Sequence, residues 1–73
     1  MIVRLQNRYD TRTFFEPYVG RYGTRYAVYM RVRGSNATIA CGQYSDEFRA
    51  NGVMYEMLDA YENKSRVFYM PAA

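Results

Sequence analysis

Arginine and tyrosine side chains carry most of the chemistry that this sequence offers, and they cluster in its first half. Seven of the nine arginines fall within the first 33 residues, each near an aromatic residue, against two acidic residues in the same stretch. A guanidinium group beside a phenol ring offers bidentate hydrogen bonds, stacking and rigid apolar contact area in one place. The pattern therefore predicts a surface that binds an anionic or mixed polar partner.

We assign the candidate partner-binding residues to two groups, one on a predicted strand and one in the N-terminal segment. The first group is Arg25, Tyr29, Arg31 and Arg33, and the second is Arg4, Arg8, Tyr9 and Arg12. A face selected only for solubility normally contains lysine, whereas this chain has nine arginines and one lysine. A biased genome composition would give the same ratio, so the assignment is a hypothesis. We assign Tyr26, Tyr61 and Tyr69 to structural roles.

Three observations argue against catalysis. A domain of 73 residues buries only about 60% of its unfolded surface, which leaves little volume for a deep substrate pocket. Cys41 has no histidine anywhere in the chain to activate it, so a buried strand position suits it better than the role of a nucleophile. Asp46 and Glu47 fit the positive end of a helix dipole better than an acid–base pair. We therefore predict no catalytic residue and no enzymatic activity.

The sequence also predicts no cofactor, no metal site and no membrane span. With no histidine and a single cysteine, the usual zinc ligands are missing. Gly20 and Gly23 lack the spacing of a phosphate-binding loop, and no apolar run approaches the roughly 18 residues that a bilayer span needs. One unpaired cysteine fits a reducing compartment, so we expect a cytoplasmic location.

Alternation over residues 24–33 predicts a strand with two different sides. The core side comprises Tyr26, Val28, Met30 and Val32, and the opposite side comprises Arg25, Ala27, Tyr29, Arg31 and Arg33. A hairpin turn at 34–36 should return the chain as a second strand over 37–43. On that strand we expect Ala37, Ile39 and Cys41 to face the core.

A helix should follow, with Ser45 as its N-cap and negative charge from Asp46 and Glu47 in its first turn. Its apolar stripe comprises Ala50, Val53, Met54, Met57, Leu58 and Tyr61. Gly52 interrupts the stripe at a cost of about 1 kcal/mol without outweighing it. The helix should end at 63–65, and the β-branched and aromatic residues 66–70 predict a final strand before Pro71.

These elements predict one small α+β domain spanning residues 1–73. Residues 24–71 form its strand, strand, helix, strand core, in which one helix covers one face of a small antiparallel sheet. The other face stays open and carries the first group of binding residues. Residues 1–23 should be irregular, with a weak strand signal at 2–5 and a helical turn around 13–18.

Residues 42–71 resemble a small strand–helix–strand module of short phage and bacterial proteins. That module has a Gly-x-Tyr turn, a helix with an acidic start, and a strand that closes on Met-Pro. The matching residues are Gly42, Tyr44, Glu47, Arg49, Ala50, Glu56, Ala60, Tyr61, Met70 and Pro71. The resemblance implies a fold and carries no chemistry, and Gly52 departs from it by replacing a polar helix former.

The whole chain resembles the small RNA polymerase-binding transcription regulators of lytic bacteriophages that infect Xanthomonas. The resemblance rests on the length, the arginine- and tyrosine-rich first half and the module. It implies a monomeric protein in the host bacterial cytoplasm that binds host RNA polymerase at the amino-terminal region of β′, near the RNA exit. It also implies inhibition of σ-dependent initiation, antitermination, and the nascent RNA as a further contact. No residue is transferred from that family by motif.

Two alternatives to this partner remain open. The exposed tyrosines would stack on the bases of single-stranded RNA while the arginines contact phosphates, or the same surface would dock on a host nuclease or defence complex. A net charge of only +3, with an acidic predicted helix, favours docking on a protein over binding of nucleic acid alone.

Overall fold

The computed structural model describes residues 1–7, 11–14 and 16–72, which form an α+β fold as the sequence predicts. The elements are β1 (Ile2–Arg4), β2 (Thr11–Thr13), β3 (Pro17–Tyr22), β4 (Arg25–Arg31), β5 (Thr38–Tyr44), α1 (Glu47–Glu62) and β6 (Val67–Tyr69). The predicted order of strand, strand, helix and strand is confirmed for β4, β5, α1 and β6.

Strands β3, β4 and β5 form an antiparallel sheet in that order. Gly23 and Gly34 lie in its two connecting turns with φ angles of 62° and 79°, a left-handed conformation that glycine adopts without steric cost. The hairpin between β4 and β5 and its turn at 34–36 are therefore confirmed. Turns at both ends of β4 therefore connect the three strands as two successive antiparallel hairpins.

A β-bulge changes the alternation that the sequence predicts for β5. Val28 lies opposite Gly42 whereas Tyr29 lies opposite Ala40, so Cys41 has no partner residue on β4. The extra residue allows Cys41 and Tyr44 both to enter the core. The predictions of Cys41 in the core and of Ile39 packed against it are confirmed. Two others are wrong, because Ala37 and Val32 lie beyond the strand ends and are exposed.

A second sheet, in the order β2, β1, β6, corrects two predictions. Residues 1–23 are not irregular, since β1, β2 and β3 all lie there, and the expected helical turn around 13–18 is absent from the described residues of that stretch. The final strand does not join the hairpin sheet but pairs in parallel with β1, Val3 facing Phe68. The final strand was misplaced because β1 and β6 pair from opposite ends of the chain.

Helix α1 covers the sheet of β3, β4 and β5 on one face. Asp46, not Ser45, is the N-cap, and its side chain accepts a hydrogen bond of 2.7 Å from the Arg49 backbone N–H. Ala50, Val53 and Met57 are fully buried, which confirms the middle of the predicted stripe. In the part of the chain that the structure describes, no helix is long and apolar enough to cross a bilayer.

One core joins the helix and both sheets. It comprises Val3, Leu5, Val28, Met30, Cys41, Tyr44, Ala50, Val53, Met57 and Met70. Gln6, just after β1, links the sheets, because its backbone N–H donates to the Cys41 carbonyl at 2.9 Å. Its carboxamide also pairs with Gln43, accepting from the backbone N–H at 2.7 Å and donating to the carbonyl at 3.3 Å. The Gln6 side chain thus extends the ladder of β5 as a peptide group would.

Candidate functional site

The open side of the β3–β4–β5 sheet brings three tyrosines and two arginines together. Tyr18 lies directly opposite Tyr29, and Tyr22 lies opposite Arg25. Because side chains alternate along a strand, Arg31 shares the side of Arg25 and Tyr29. The helix packs on the other side, where Val28 and Met30 are buried in the core. We call the set of Tyr18, Tyr22, Arg25, Tyr29 and Arg31 the tyrosine–arginine face.

The rings at one end of this face hold one another in place. Tyr18 and Tyr29 stack with their centroids 5.2 Å apart and their planes inclined by 16°. The guanidinium carbon of Arg31 lies 5.5 Å from the centre of the Tyr18 ring, within range of a cation–π contact. The Tyr29 hydroxyl donates to the Arg21 carbonyl at 2.9 Å. Stacking and this hydrogen bond fix the two rings before any partner arrives.

A pair of small residues forms the floor beneath the rings. Gly20 lies opposite Ala27, between the Tyr18–Tyr29 pair and the Tyr22–Arg25 pair. A Cβ on Gly20 would come within 3.2 Å of the Tyr29 ring, and Ala27 is fully buried. A larger side chain at either position would lift the rings off the sheet, so the small residues are part of the site's geometry.

Arg25 is the most unusual side chain of the face. It is half-buried, and its Nε is buried without a hydrogen-bond partner among the residues that the structure describes. A buried donor left unpaired costs on the order of 1–3 kcal/mol, more when it carries charge. Because this atom is inaccessible to solvent, it is a feature of the packing beneath the face and not a contact point for a partner.

The end of the face where Tyr18, Tyr29 and Arg31 lie leads to a basic groove at the β4–β5 turn. A cavity of about 250 Å³ there is lined by Arg12, Thr13, Met30, Arg31, Val32, Arg33 and Ile39. Glu16 partly neutralises this end, because its carboxylate lies 3.1 Å from the Arg31 Nε. Both side chains of that ion pair are about half exposed, so a partner can displace the carboxylate at little cost.

The structure unites some of the predicted binding residues and separates others. Arg25, Tyr29 and Arg31 lie on the tyrosine–arginine face, and Arg12 and Arg33 line the adjoining groove. Arg4 lies elsewhere, since it belongs to the second sheet, where its guanidinium carbon is 6.0 Å from the Tyr69 ring centre. Arg8 and Tyr9 lie outside the described residues.

Sequence reasoning missed Tyr18 and Tyr22. Residues 1–23 were expected to be irregular, so no strand face was assigned there. The signal was present, because Tyr18, Gly20 and Tyr22 alternate with Val19 and Arg21. Only one of those alternate residues is apolar, which makes the strand pattern too weak to stand out.

The three tyrosines that were assigned structural roles differ in how deeply they are buried. Tyr26 packs against the core as predicted. Tyr61 is half exposed, although its ring stacks on Phe14 at 4.8 Å and so joins α1 to the N-terminal segment. Tyr69 was assigned a structural role but is 70% exposed, so it does not fill space in the core. Its strand is short and lies at the edge of the second sheet.

Cys41 is placed as a core residue and not as a nucleophile. It is a free, buried cysteine, and burial raises the pKa of its thiol to about 12, against an opposing effect of Arg12. Only the thiolate is nucleophilic, so the side chain is unreactive near neutral pH. In the described part of the chain, no three cysteine or acidic side chains come together as a metal site would require.

Five of the ten residues that resemble the strand–helix–strand module contact one another through Tyr44: Gly42, Tyr44, Arg49, Met70 and Pro71. The Tyr44 hydroxyl donates to the Pro71 carbonyl at 2.8 Å, and the Arg49 guanidinium carbon lies 5.5 Å from the Tyr44 ring centre. A Cβ on Gly42 would come within 2.9 Å of the Tyr44 hydroxyl and 3.1 Å of the Met70 methyl. These residues therefore lock β5, α1 and the C-terminal segment together and lie apart from the open face.

Comparisons with protein families, with curated proteins and with solved structures find no match to this chain. The functional assignment consequently depends on the geometry of the tyrosine–arginine face and on the sequence.

Proposed function

We propose that the protein is a non-enzymatic regulator that docks on bacterial RNA polymerase through its tyrosine–arginine face. The observation that carries docking is the row of Tyr18, Tyr22, Arg25, Tyr29 and Arg31 on the side of the sheet that α1 leaves open. Tyrosine and arginine dominate the energetic anchors of protein interfaces. The choice of RNA polymerase rests on the sequence resemblance alone.

The order within the face supports docking on a folded surface. Rings held by stacking and by a hydrogen bond to Arg21 lose little conformational freedom on binding, and preorganisation of this kind improves affinity without new contacts. Tyr18 and Tyr22 remain 37% and 46% exposed. They offer ring edges and hydroxyls to a partner while their backbones stay fixed in β3.

The arrangement of the rings favours a protein partner over single-stranded RNA. A base-stacking platform needs a free aromatic face, whereas Tyr18 and Tyr29 turn ring faces toward each other and Arg31 lies over Tyr18. The half-exposed guanidinium group of Arg31 would pair with a carboxylate of the polymerase in place of Glu16. RNA binding through the arginines remains the second candidate because Arg12, Arg31 and Arg33 line one groove.

The mechanism that we propose is steric and electrostatic. A small domain bound beside the RNA exit would compete with σ for contacts on the amino-terminal part of β′ and so lower promoter-dependent initiation. The same occupancy would reduce the space in which a terminator hairpin forms, which gives antitermination. Such a mechanism needs no cofactor.

The test is recovery of RNA polymerase from bacterial lysate by the immobilised protein, compared with the variants Arg25→Ala, Tyr29→Ala and Arg31→Ala. Each is expected to reduce recovery by tenfold or more, about 1.4 kcal/mol for an anchor residue. Tyr69→Ala is the matched control, since it removes an exposed aromatic ring from a different surface. Circular dichroism checks that every variant is folded.

Two outcomes would contradict the proposal. Equal recovery by the three variants and the control would remove the tyrosine–arginine face from the interaction. A gel shift with single-stranded RNA, without any polymerase recovered, would instead establish the second candidate. Promoter-dependent and terminator read-through assays with purified polymerase then test inhibition and antitermination separately.

A further inference from the structure

The outward side of α1 carries two exposed aromatic residues that the core does not use. Phe48 is 89% exposed and Tyr55 is 62% exposed. They lie two turns apart on the same side of the helix, because residues separated by seven positions fall on one line. Large apolar side chains grouped on a surface mark an interaction site more often than isolated ones do.

Gly52 lies between the two rings, and nothing inside the molecule requires a glycine there. A Cβ at this position would meet no atom within 4 Å, and the positive-φ glycines of the described chain are Gly23 and Gly34. Alanine would favour the helix, since glycine is the weakest helix former after proline. A glycine without an internal reason fits a point where another backbone comes close.

The same side of α1 becomes acidic toward its C-terminal end. Asp59 and Glu62 continue the line of Phe48 and Tyr55 at spacings of four and three residues, and both are exposed. The last turn of the helix contains no basic residue. The face therefore runs from aromatic to negatively charged, and its complement is apolar at one end and positively charged at the other.

We propose that this helix face, formed by Phe48, Gly52, Tyr55, Asp59 and Glu62, docks a basic amphipathic helix of a partner protein. The partner's apolar residues would contact the two rings across Gly52, and its lysines or arginines would pair with the two carboxylates. A second copy that pairs through its own α1 fits less well, because four acidic residues and one arginine make that helix negative. This site lies on the opposite side of the β3–β4–β5 sheet from the tyrosine–arginine face.

The probe is a synthetic amphipathic helical peptide of leucine and lysine, with the same peptide carrying glutamate in place of lysine as its control. Titration into isotopically labelled full-length protein should shift the backbone amide signals of Phe48, Gly52 and Tyr55. Calorimetry should show binding that weakens with salt. The glutamate peptide should not bind. Shifts confined to other surfaces, or no binding of the lysine peptide, would overturn the proposal.

Variants separate this role from a structural one. Phe48→Ala should weaken binding of the lysine peptide by about tenfold, as expected for an anchor ring. Gly52→Ala should also weaken it while raising the melting temperature, since the added methyl supports the helix but blocks close approach. Tyr69→Ala should leave both the peptide affinity and the melting temperature unchanged. Unaltered affinity in the Phe48 and Gly52 variants would refute the assignment.

The occupant is tested by sedimentation of the free protein over a range of concentrations. A constant monomer mass supports docking of another protein. Dimerisation that Phe48→Ala abolishes would show instead that a second copy covers this face, and the proposal of a basic partner would fail. Neither result bears on recovery of RNA polymerase through Arg25, Tyr29 and Arg31, so the two proposals stand or fall separately.

Discussion

Gly42 and Gly52 show how differently one residue type acts within the same chain. Gly42 is buried in β5, directly beneath Tyr44 and Met70. Gly52 lies in α1 with open space around it. The first is required by close packing and the second is not, although both stand in the sequence as isolated glycines inside regular elements. Opposite effects on stability should follow from the same substitution.

We predict that Gly42→Ala lowers the free energy of unfolding by about 1–3 kcal/mol. The new methyl would lie 2.9 Å from the Tyr44 hydroxyl, so the ring must move and its hydrogen bond to the Pro71 carbonyl is weakened. Gly52→Ala is the matched control and should raise the free energy of unfolding by about 1 kcal/mol. Urea unfolding measures both. Equal effects of the two substitutions would contradict this account of Gly42.

At the scale of elements, local signals predicted the centre of the chain and failed at its ends. The apolar alternation of Tyr26, Val28 and Met30 predicted β4, and the acidic start and apolar stripe predicted α1. Strand β1 owes its place to β2 and β6, and β6 pairs with it from the far end of the chain. Hydrophobic periodicity and strand propensity do not predict such pairings, because both depend only on residues that are neighbours in the sequence.

The residues of the candidate site were likewise predicted where the local sequence pattern is strong and missed where it is weak. Arg25, Tyr29 and Arg31 were predicted because they share a strongly patterned strand. Tyr18 and Tyr22 were missed because β3 has little apolar alternation. Arg4 was predicted in the second, N-terminal group of binding residues, but its strand belongs to the other sheet. Sequence composition therefore predicts that arginine and tyrosine form the tyrosine–arginine face. Which arginines and tyrosines lie on it is known only once the strand pairing is known.

The junction between the two sheets gives the prediction at this scale. Gln6→Ala should lower the free energy of unfolding by about 1–3 kcal/mol, because the backbone N–H of Gln43 loses its 2.7 Å acceptor in a partly buried position. Gln43→Ala keeps that N–H and should have a smaller effect, which makes it the control. Hydrogen exchange at the Gln43 amide should accelerate only in the Gln6 variant. Unchanged protection there would show that water replaces the carboxamide.

On the scale of the whole molecule, charge is separated between the two halves of the chain. The first 33 residues hold seven arginines and two acidic residues, whereas the remaining 40 hold three basic and five acidic residues. Four of those five acidic residues lie on α1, and Asp46 caps it. The modest net charge of +3 therefore hides a basic N-terminal half and an acidic helix. Such a distribution orients a small protein on a larger one more than it increases general affinity.

Salt dependence distinguishes the two candidate partners of the tyrosine–arginine face. Binding of single-stranded RNA should lose affinity with a logarithmic slope of about −0.7 for each phosphate contacted. Docking on RNA polymerase should depend less on salt, because the rings of Tyr18, Tyr22 and Tyr29 supply contact area that ions do not screen. We predict that polymerase affinity falls less than tenfold between about 50 and about 200 mM salt, measured by fluorescence anisotropy. A steeper loss that Arg31→Ala makes shallower would show that phosphate contacts dominate, and the surface would then be a nucleic-acid interface.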